Sequence, residues 1–189
     1  MIGGGLGSQG KVPKLSIVNL VVTADLNQRV DLARLTDEGG FRYDPSVYKC
    51  AYFRHRITRS KVSIFPTGKL ISIGAKTLEG AGQALQEVMV RLVKLGLVRK
   101  TTITPKLQNV VATTKVDQEM NLEKLSKILP HVLYEPEQFP GAMYYPSELE
   151  GASVLIFANG NIVLAGLKRL ELVEEGAKVV TRLVQMMLN

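Results

Sequence analysis

The chain has 189 residues, its 46% hydrophobic and 22% charged content is ordinary for a globular protein, and its formal charge of +7 favours an anionic partner. A single cysteine, Cys50, excludes an internal disulfide, no Cys or His spacing fits a zinc site, and no apolar run approaches the roughly 20 residues that span a bilayer. Since the N-terminus lacks a secretory signal, we expect an intracellular protein that uses no metal or cofactor and has no membrane partner.

The first 14 residues are predicted to form a flexible tail. The stretch from Gly5 to Lys11 superficially matches a phosphate-binding loop, but Val12 occupies the position of the required Ser or Thr. Pro13 prevents a helix from following, and no strand precedes the stretch. This segment is therefore not predicted to bind a nucleotide.

The chain then predicts a series of strands closed by a long helix. Strands are predicted over 16–24, 49–57, 61–66 and 69–74, with a short helix near Leu32 and a hairpin turn at Gly68. The long helix is indicated by apolar residues that recur every three or four positions and by a capping glycine, namely Leu78, Ala81, Leu85, Val88, Leu92, Leu95 and Gly96.

The same elements return in the second half of the chain. Residues 18–23 (VNLVVT) return as 108–113 (QNVVAT), and residues 62–68 (VSIFPTG) return as 154–160 (VLIFANG). So many ordered matches indicate one unit used twice, over 15–104 and 105–189. The second copy predicts strands over 107–115, 142–146, 152–158 and 161–166, a short helix near Leu122, a turn at Gly160, and a final helix carrying Val173, Ala177, Val180, Val184 and Met187.

Strands and helices that occur in blocks predict an α+β fold with helices on one face of the sheet. Alternation along each strand then assigns side chains to a face. Predicted to face the helices are Val18, Leu20, Val22, Val62, Ile64, Val154 and Ile156. The outward face would carry Asn19, Val21, Thr23, Ser63, Phe65, Ile71, Ile73, Val111, Leu155, Phe157 and Val163. A soluble protein rarely leaves such an apolar surface unused.

Charge is unevenly divided between the two copies. Up to Thr104 there are 16 Lys or Arg against 7 Asp or Glu, whereas from Pro105 onward there are 8 against 10. Halves of unlike sign suggest two kinds of partner. Solvated charges scattered over the surface are the alternative explanation.

These features together resemble the TATA-box-binding protein family over about residues 15–188. The most specific matches are the paired strands around Asn19 and Asn109, the stretch 134–141 (YEPEQFPG), and the two I-F-x-x-G turns that precede G-x-K. The resemblance implies two tandem pseudo-symmetric repeats that form one curved antiparallel sheet, a saddle with helices on its convex face. It also implies a general transcription initiation factor, not an enzyme, that binds and bends the minor groove of A·T-rich promoter DNA.

The resemblance assigns roles to individual residues. Tyr48 and Phe65 in the first repeat, and Phe139 and Phe157 in the second, match aromatic wedges that enter base steps. The central asparagines match donors to A·T base edges, where the minor groove separates only A·T from G·C. The full set implied to contact DNA is Asn19, Val21, Thr23, Tyr48, Arg54, Arg56, Phe65, Lys69, Ile71, Ile73, Asn109, Val111, Thr113, Phe139, Leu155, Phe157, Val163 and Ala165.

Several positions depart from the family pattern. Ile73 and Ala165 stand where the family has base-contacting threonines, and Tyr48 stands where it has a phenylalanine. Tyr145 and Asn161 replace basic residues of the second repeat. With fewer polar contacts, discrimination between DNA sequences should depend more on how easily the DNA deforms.

The resemblance also implies protein partners. Glu135 and Glu137 match the contact with a basic B-type general transcription factor, although solvated loop charges are the alternative. Basic positions expected to meet other transcription regulators are Arg91, Lys94, Arg99 and Lys100. The expected location is the nucleus in a eukaryote, or the cytoplasm and nucleoid in an archaeon.

Other interpretations remain open at this point. The chain could be a divergent family member that acts mainly as a protein-interaction module and binds DNA weakly. An enzyme on a related sheet is a third class, but no nucleophile, base or metal cluster supports it. Phe65 and Phe157 could be core residues. His55 and His131 fit no triad or metal spacing, which favours surface or loop roles.

Overall fold

The structure, a computed structural model, describes residues 14–35 and 38–188, apart from the side chains of 38, 187 and 188. The tail predicted over residues 1–14 lies outside this range except for Lys14. The elements are β1 (Ser16–Asp25), β2 (Phe41–Arg42), β3 (Ala51–Arg54), β4 (Lys61–Ile64), β5 (Lys69–Ala75), α1 (Leu78–Lys94), β6 (Lys106–Lys115), α2 (Leu122–Ile128), β7 (Val132–Leu133), β8 (Gly141–Tyr144), β9 (Ser153–Phe157), β10 (Asn161–Leu167) and α3 (Leu172–Leu188).

The strands form a ten-stranded sheet in the order β2-β3-β4-β5-β1-β6-β10-β9-β8-β7. Read from either edge, the same five-strand arrangement appears, and the hairpin pairs are antiparallel. This sheet, with its three α-helices and repeated element order, confirms the predicted fold class of two tandem repeats in an α+β fold.

The chain divides into two compact units. Residues 17–111 and 166–169 form one unit, and residues 112–165 and 170–188, with 14–16, form the other. The repeat limits of 15–104 and 105–189 remain a prediction from the sequence.

Alternation along the strands correctly assigned most of the core. Leu20, Val22, Val62 and Ile64 are fully buried, as are the matching residues of β9. Val18 is the exception, because it is 37% exposed. Pairing of β1 with β5 begins only at Leu20, so Val18 lies beyond the part of the strand that β5 accompanies.

The helix that closes the first repeat forms as predicted. Thr77 caps its N-terminus, since its hydroxyl accepts a hydrogen bond from the N–H of Gly80 across 3.0 Å. Gly96 follows its end with a φ of +66°, a left-handed conformation that favours glycine. The face that packs on the sheet carries Ala81, Ala84, Leu85, Val88 and Leu92.

The buried face of α3 differs from the predicted one. The sequence pattern placed Ala177 and Val184 on it, but both are only half-buried, whereas Val179 and Leu183 are buried. Val180 is buried as predicted. Gly176 is buried as well, and a Cβ on it would lie 2.2 Å from Cδ2 of Leu164, so the helix backbone approaches the sheet closely at this position. Within the described ranges, no helix is long and apolar enough to cross a membrane.

Three local features differ from the sequence-based expectation. The short helix near Leu32 is a single 3₁₀ turn over Leu32–Arg34, whereas its counterpart α2 is α-helical. The strand expected over 49–57 ends at Arg54. The two-residue strands β2 and β7 were not predicted, because two residues are too few for a periodic pattern.

Candidate nucleic-acid interface

The two central asparagines are each held by the backbone of the last strand of their repeat. The N–H of Gly74 donates to Oδ1 of Asn19 across 2.7 Å, and the N–H of Gly166 donates to Oδ1 of Asn109 across 3.0 Å. A backbone N–H can only donate, so the atom that faces it must be the amide oxygen. The Nδ2 group of each asparagine is therefore left for another acceptor.

These hydrogen bonds depend on the glycine backbone. Gly74 has a φ of +98° and Gly166 a φ of +92°, a region that residues with a side chain rarely adopt. Beside Gly74, the pairing of β1 with β5 shifts register between Leu20 and Val21. Such an irregularity re-aims backbone groups locally, and here it turns an N–H towards a side chain.

Each repeat carries an apolar strip on its strands. In the first repeat, Val21 pairs with Ile73 and Thr23 pairs with Ile71, and Ile73 is 44% exposed. In the second repeat, Leu155 pairs with Val163 and Ser153 with Ala165, and all four are half-buried. Val111 and Thr113 are half-buried as well. These side chains bear few hydrogen-bonding groups, so the strips are suited to an apolar surface such as the floor of a groove.

The second repeat brings its two predicted wedges into contact. The rings of Phe139 and Phe157 meet edge to face, with centroids 5.7 Å apart and an interplanar angle of 64°. A turn positions Phe139, since its N–H donates to the carbonyl oxygen of Glu135 across 2.9 Å. Phe157 precedes a hairpin turn in which the N–H of Gly160 donates to its carbonyl oxygen across 3.0 Å.

The first repeat builds the same loop but places its ring elsewhere. The N–H of Tyr48 donates to the carbonyl oxygen of Asp44 across 2.9 Å, as in the second repeat. The ring of Tyr48 then meets Tyr52 edge to face at 5.1 Å, and it is 49% exposed. Among the described residues, Tyr48 therefore packs against Tyr52 and not against Phe65, the other predicted wedge of this repeat. The hydroxyl and N–H of Ser46 donate to the Asp44 carboxylate and lower its pKa below the ordinary value.

The repeats also differ in the residue beside the rings. A Cβ on Gly141 would lie 2.9 Å from Cε1 of Phe139 and 3.1 Å from Cε1 of Phe157. A side chain at this position would therefore press on both rings. Cys50 occupies the equivalent position in the first repeat and is buried.

The basic residues predicted to contact phosphate lie in the first repeat. Arg54 ends β3, Arg56 lies in the turn that follows, Lys69 begins β5, and all three are exposed. Sequence reasoning missed Lys61, whose Nζ lies 3.6 Å from the ring centroid of Tyr52. The Cys50 side chain, through hydrogen bonding, raises the pKa of Tyr52 to about 12, so its ring carries a neutral hydroxyl at physiological pH. Strand alternation could have revealed Lys61 and Tyr52, since both fall on outward positions of their strands.

The comparisons with known proteins agree with this geometry. The family model for "Transcription factor TFIID (or TATA-binding protein, TBP)" matches twice, over residues 14–95 and 104–187. The TATA-box-binding protein of Cenarchaeum symbiosum is 33% identical over 154 residues, which cover 80% of this chain and 84% of that protein. The chain belongs to the TATA-binding protein family.

Two further matches cover most of both chains. The TATA-box-binding protein of Methanococcus aeolicus is 36% identical over 159 residues, or 84% of this chain and 87% of that protein. The solved structure of Methanococcus jannaschii TBP matches with a TM-score of 0.79 and 30% identity, covering 92% of this chain and 99% of that one. As a TATA-binding protein family member, the chain is a general transcription initiation factor of a non-enzymatic family. Its individual contact residues remain predictions.

The family's expected partner contacts are only partly accessible. Glu135 and Glu137 are exposed on the loop that carries Phe139. Lys94, Arg99 and Lys100 are exposed as well. Arg91 is half-buried and hydrogen-bonded within the fold, and its expected contact with a regulator stays a prediction. Its Nη1 donates to the carbonyl oxygen of Gly39 across 2.6 Å, and its Nε donates to Glu87 across 2.9 Å.

His55 lies in the loop between β3 and β4, which agrees with the predicted surface or loop role, but it is only 7% exposed. Its Nδ1 accepts from the N–H of Thr58 across 3.1 Å, so its Nε2 carries the proton that faces Glu87 at 3.1 Å. The histidine thus ties the β3–β4 turn to α1. His131 is exposed, as predicted. Across the residues that the structure describes, no three His, Cys, Asp or Glu side chains cluster as a metal site requires.

Proposed function

We propose that this protein binds the minor groove of A·T-rich promoter DNA, bends it, and recruits a B-type general transcription factor and RNA polymerase. The observation that carries the proposal is the pair of asparagines whose Oδ1 atoms are bound to backbone N–H groups. The amide hydrogens of each asparagine are then left to donate to a ligand. The names of its relatives, which are TATA-box-binding proteins, support the same ligand.

The asparagine geometry provides a reason for A·T selectivity. In the minor groove, A·T pairs offer only the acceptors N3 of adenine and O2 of thymine, whereas G·C pairs add the N2 amino donor of guanine. The Nδ2 groups of Asn19 and Asn109 would meet an acceptor on an A·T pair and a donor on guanine. A buried donor left without an acceptor costs about 1–3 kcal/mol, so G·C pairs would be disfavoured at these positions.

Bending would follow from the aromatic rings at the ends of the strips. Unstacking a base step costs a few kcal/mol, roughly the amount that wedged rings must supply. Burial of the strips against the groove floor contributes about 25 cal/mol per Å² of apolar surface, and release of counterions from the phosphates adds to it. Because Ile73 and Ala165 offer no hydroxyl to the bases, we expect deformability of the DNA to carry much of the selectivity.

A titration of duplexes labelled at both ends tests this function. An A·T-rich site should bind more tightly than a G·C duplex of equal length, and energy transfer between the ends should rise as the DNA bends. The comparison is made at one salt concentration, since affinity for DNA depends strongly on salt. Equal affinity for the two duplexes with no change in energy transfer would rule the function out.

Recruitment of the B-type factor is a separate part of the proposal. The exposed carboxylates of Glu135 and Glu137 suit a basic partner. Reversing both charges to lysine should weaken the ternary complex while leaving binary DNA binding intact. The matched control is Glu123→Lys, which reverses an exposed charge on α2 instead. An unchanged ternary complex in the double variant would contradict this assignment.

A second candidate is a protein-interaction module that binds DNA weakly. The loss of threonines at Ile73 and Ala165, and of basic residues at Tyr145 and Asn161, favours it. It predicts a tight complex with the B-type factor in the absence of DNA, and feeble DNA binding at about 0.15 M salt, where charged surfaces are screened beyond about 8 Å. In either case we propose that the protein works at the chromosome, in the nucleus of a eukaryote or the nucleoid of an archaeon.

A further inference from the structure

We propose that Arg42, Arg54 and Lys61 form a phosphate-binding cluster at the edge of the first repeat, with Tyr52 as the residue that positions Lys61. The cluster would hold the sugar-phosphate backbone that flanks the A·T-rich site. This inference rests on the proposed function, and it adds Arg42, Tyr52 and Lys61 to the set of contact residues. The second repeat has no equivalent cluster.

Lys61 is held in place by an aromatic ring. Its Nζ lies 3.6 Å from the ring centroid of Tyr52, and Tyr52 itself packs against Tyr48. A cation over an aromatic face is attracted by the ring quadrupole, so the flexible lysine chain loses part of its freedom before any ligand arrives. An ammonium group arranged in advance binds an anion at a lower entropic cost than a freely moving one.

Two arginines surround this pair on the same outward face. Arg42 of β2 pairs with Tyr52 of β3, and Arg54 of β3 pairs with Lys61 of β4. Both arginines and the lysine are exposed. They line a half-open cleft of about 670 Å³ together with Tyr43, Tyr48 and Tyr52.

The cluster carries an excess of positive charge, since among the described residues of the cleft three cations face the single carboxylate of Asp44. Among the described residues, the ion pairs do not include Arg42, Arg54 or Lys61. Asp44 also lines the cleft and remains ionised, with two hydrogen bonds from Ser46 to its Oδ1. Three cations against one carboxylate leave a net positive charge, which suits a ligand that carries several negative charges at regular spacing, as a nucleic-acid backbone does.

The cluster also adjoins the proposed groove-binding strip. Lys61 pairs with Ile73 on β5, and Ile73 pairs with Val21 on β1. Arg54, Lys61, Ile73 and Val21 therefore form one continuous row across four strands. A duplex whose minor groove lies on Val21 and Ile73 would bring one of its sugar-phosphate strands towards the end of this row that carries Arg54 and Lys61.

The second repeat lacks the same charges at equivalent positions. Arg42 corresponds to Leu133, Arg54 to Tyr145 and Lys61 to Ser153. Leu133 pairs with Met143, which replaces the positioning tyrosine. Phosphate binding should therefore be strong on one side of a symmetric A·T site and weak on the other.

The dependence of affinity on salt tests the cluster directly. Each phosphate contact contributes about 0.9 to the slope of log K against log salt concentration on duplex DNA. Lys61→Met, which removes the charge and retains most of the apolar chain, should reduce this slope by about 0.9. Lys127→Met makes the same change at an exposed position of α2, and it should leave the slope unaltered. Thermal unfolding of both variants checks that the fold is intact.

The positioning role of Tyr52 requires a conservative variant. Tyr52→Leu should lower affinity and the salt slope in the same direction as Lys61→Met, whereas Tyr52→Phe retains the ring and should behave as the unaltered protein. If Tyr52→Phe loses as much as Tyr52→Leu, the hydroxyl acts and the cation–π role is wrong.

A duplex with uncharged methylphosphonate linkages on one flank locates the contact. On the flank that the cluster holds, the effect of Lys61→Met should disappear, while neutral linkages on the opposite flank should leave it unchanged. An unaltered salt slope in Lys61→Met, with A·T preference retained in the parent protein, would overturn the cluster but not the proposed function. Absence of any A·T preference in the parent protein would overturn the function first.

Discussion

Asn109 accepts a hydrogen bond from the backbone N–H of Gly166 across 3.0 Å, and this bond determines which end of its amide faces outward. Asn19 has the same relationship with Gly74 across 2.7 Å. The two repeats thus present a donor group at equivalent positions, and each donor is oriented by backbone rather than by neighbouring side chains.

The substitution Asn109→Asp tests the donor role of the amide while it keeps the hydrogen bond from Gly166. A carboxylate can still accept from the N–H of Gly166, but it has no hydrogen to donate and it adds a negative charge near the DNA backbone. We expect affinity for an A·T-rich duplex to fall about tenfold or more, while the free energy of unfolding changes by less than about 1 kcal/mol. Fluorescence anisotropy and urea unfolding measure the two quantities. Retained affinity would show that the outward amide is not a donor to the bases.

The aromatic wedges should differ in their contribution to bending. Phe139 and Phe157 support one another in an edge-to-face pair, whereas Tyr48 packs on Tyr52. Phe139→Ala or Phe157→Ala should therefore lower bending strongly, and Tyr48→Ala should lower it less. Energy transfer between dyes at the duplex ends, at saturating protein, gives the comparison. The ranking is wrong if Tyr48→Ala reduces the transfer as much as the other two variants.

Gly141 should control whether the Phe139–Phe157 pair can form. The added Cβ of Gly141→Ala would lie 2.9 Å from the Phe139 ring, which forces that ring to move, and 3.1 Å from the Phe157 ring, which is tighter than most side-chain contacts. The rings must separate, so we expect weaker bending by this variant than by the parent protein. The matched control is Cys50→Gly, which removes the side chain at the equivalent position of the first repeat and creates no clash. Full bending by Gly141→Ala would indicate that the paired rings are unnecessary.

The hairpin glycines should be far less tolerant than a helix-capping glycine. A Cβ on Gly68 would lie 2.1 Å from the carbonyl oxygen of Gln28, and the residue has a φ of +94°. At Gly96 the φ is +66°, but nothing lies within 4 Å of the added carbon. Gly96→Ala should lower the free energy of unfolding by about 1 kcal/mol through backbone strain alone, and Gly68→Ala by more than about 2 kcal/mol. Equal losses in urea unfolding would contradict the clash with Gln28.

Short-range patterns in the sequence were sufficient for most of the fold. Alternation along β1 and β4 placed Leu20, Val22, Val62 and Ile64 in the core, because neighbouring residues of a strand must face opposite sides. The repeat was readable because both halves retain their turn glycines, which satisfy the same backbone requirement twice. Where an element was too short for a period, as in β2 and β7, the sequence carried no usable signal.

Contacts between distant residues decided the rest. The close approach of Gly176 to Leu164 and the 3.1 Å contact between His55 and Glu87 of α1 each join residues that are far apart in the sequence. The Lys61–Tyr52 contact likewise joins β4 to β3, and the register between two strands cannot be read from the sequence of either strand alone. Periodicity reports which side a residue faces, and that much the sequence determined by itself. Which atoms then meet depends on the distances between backbones, and only the tertiary structure decides those.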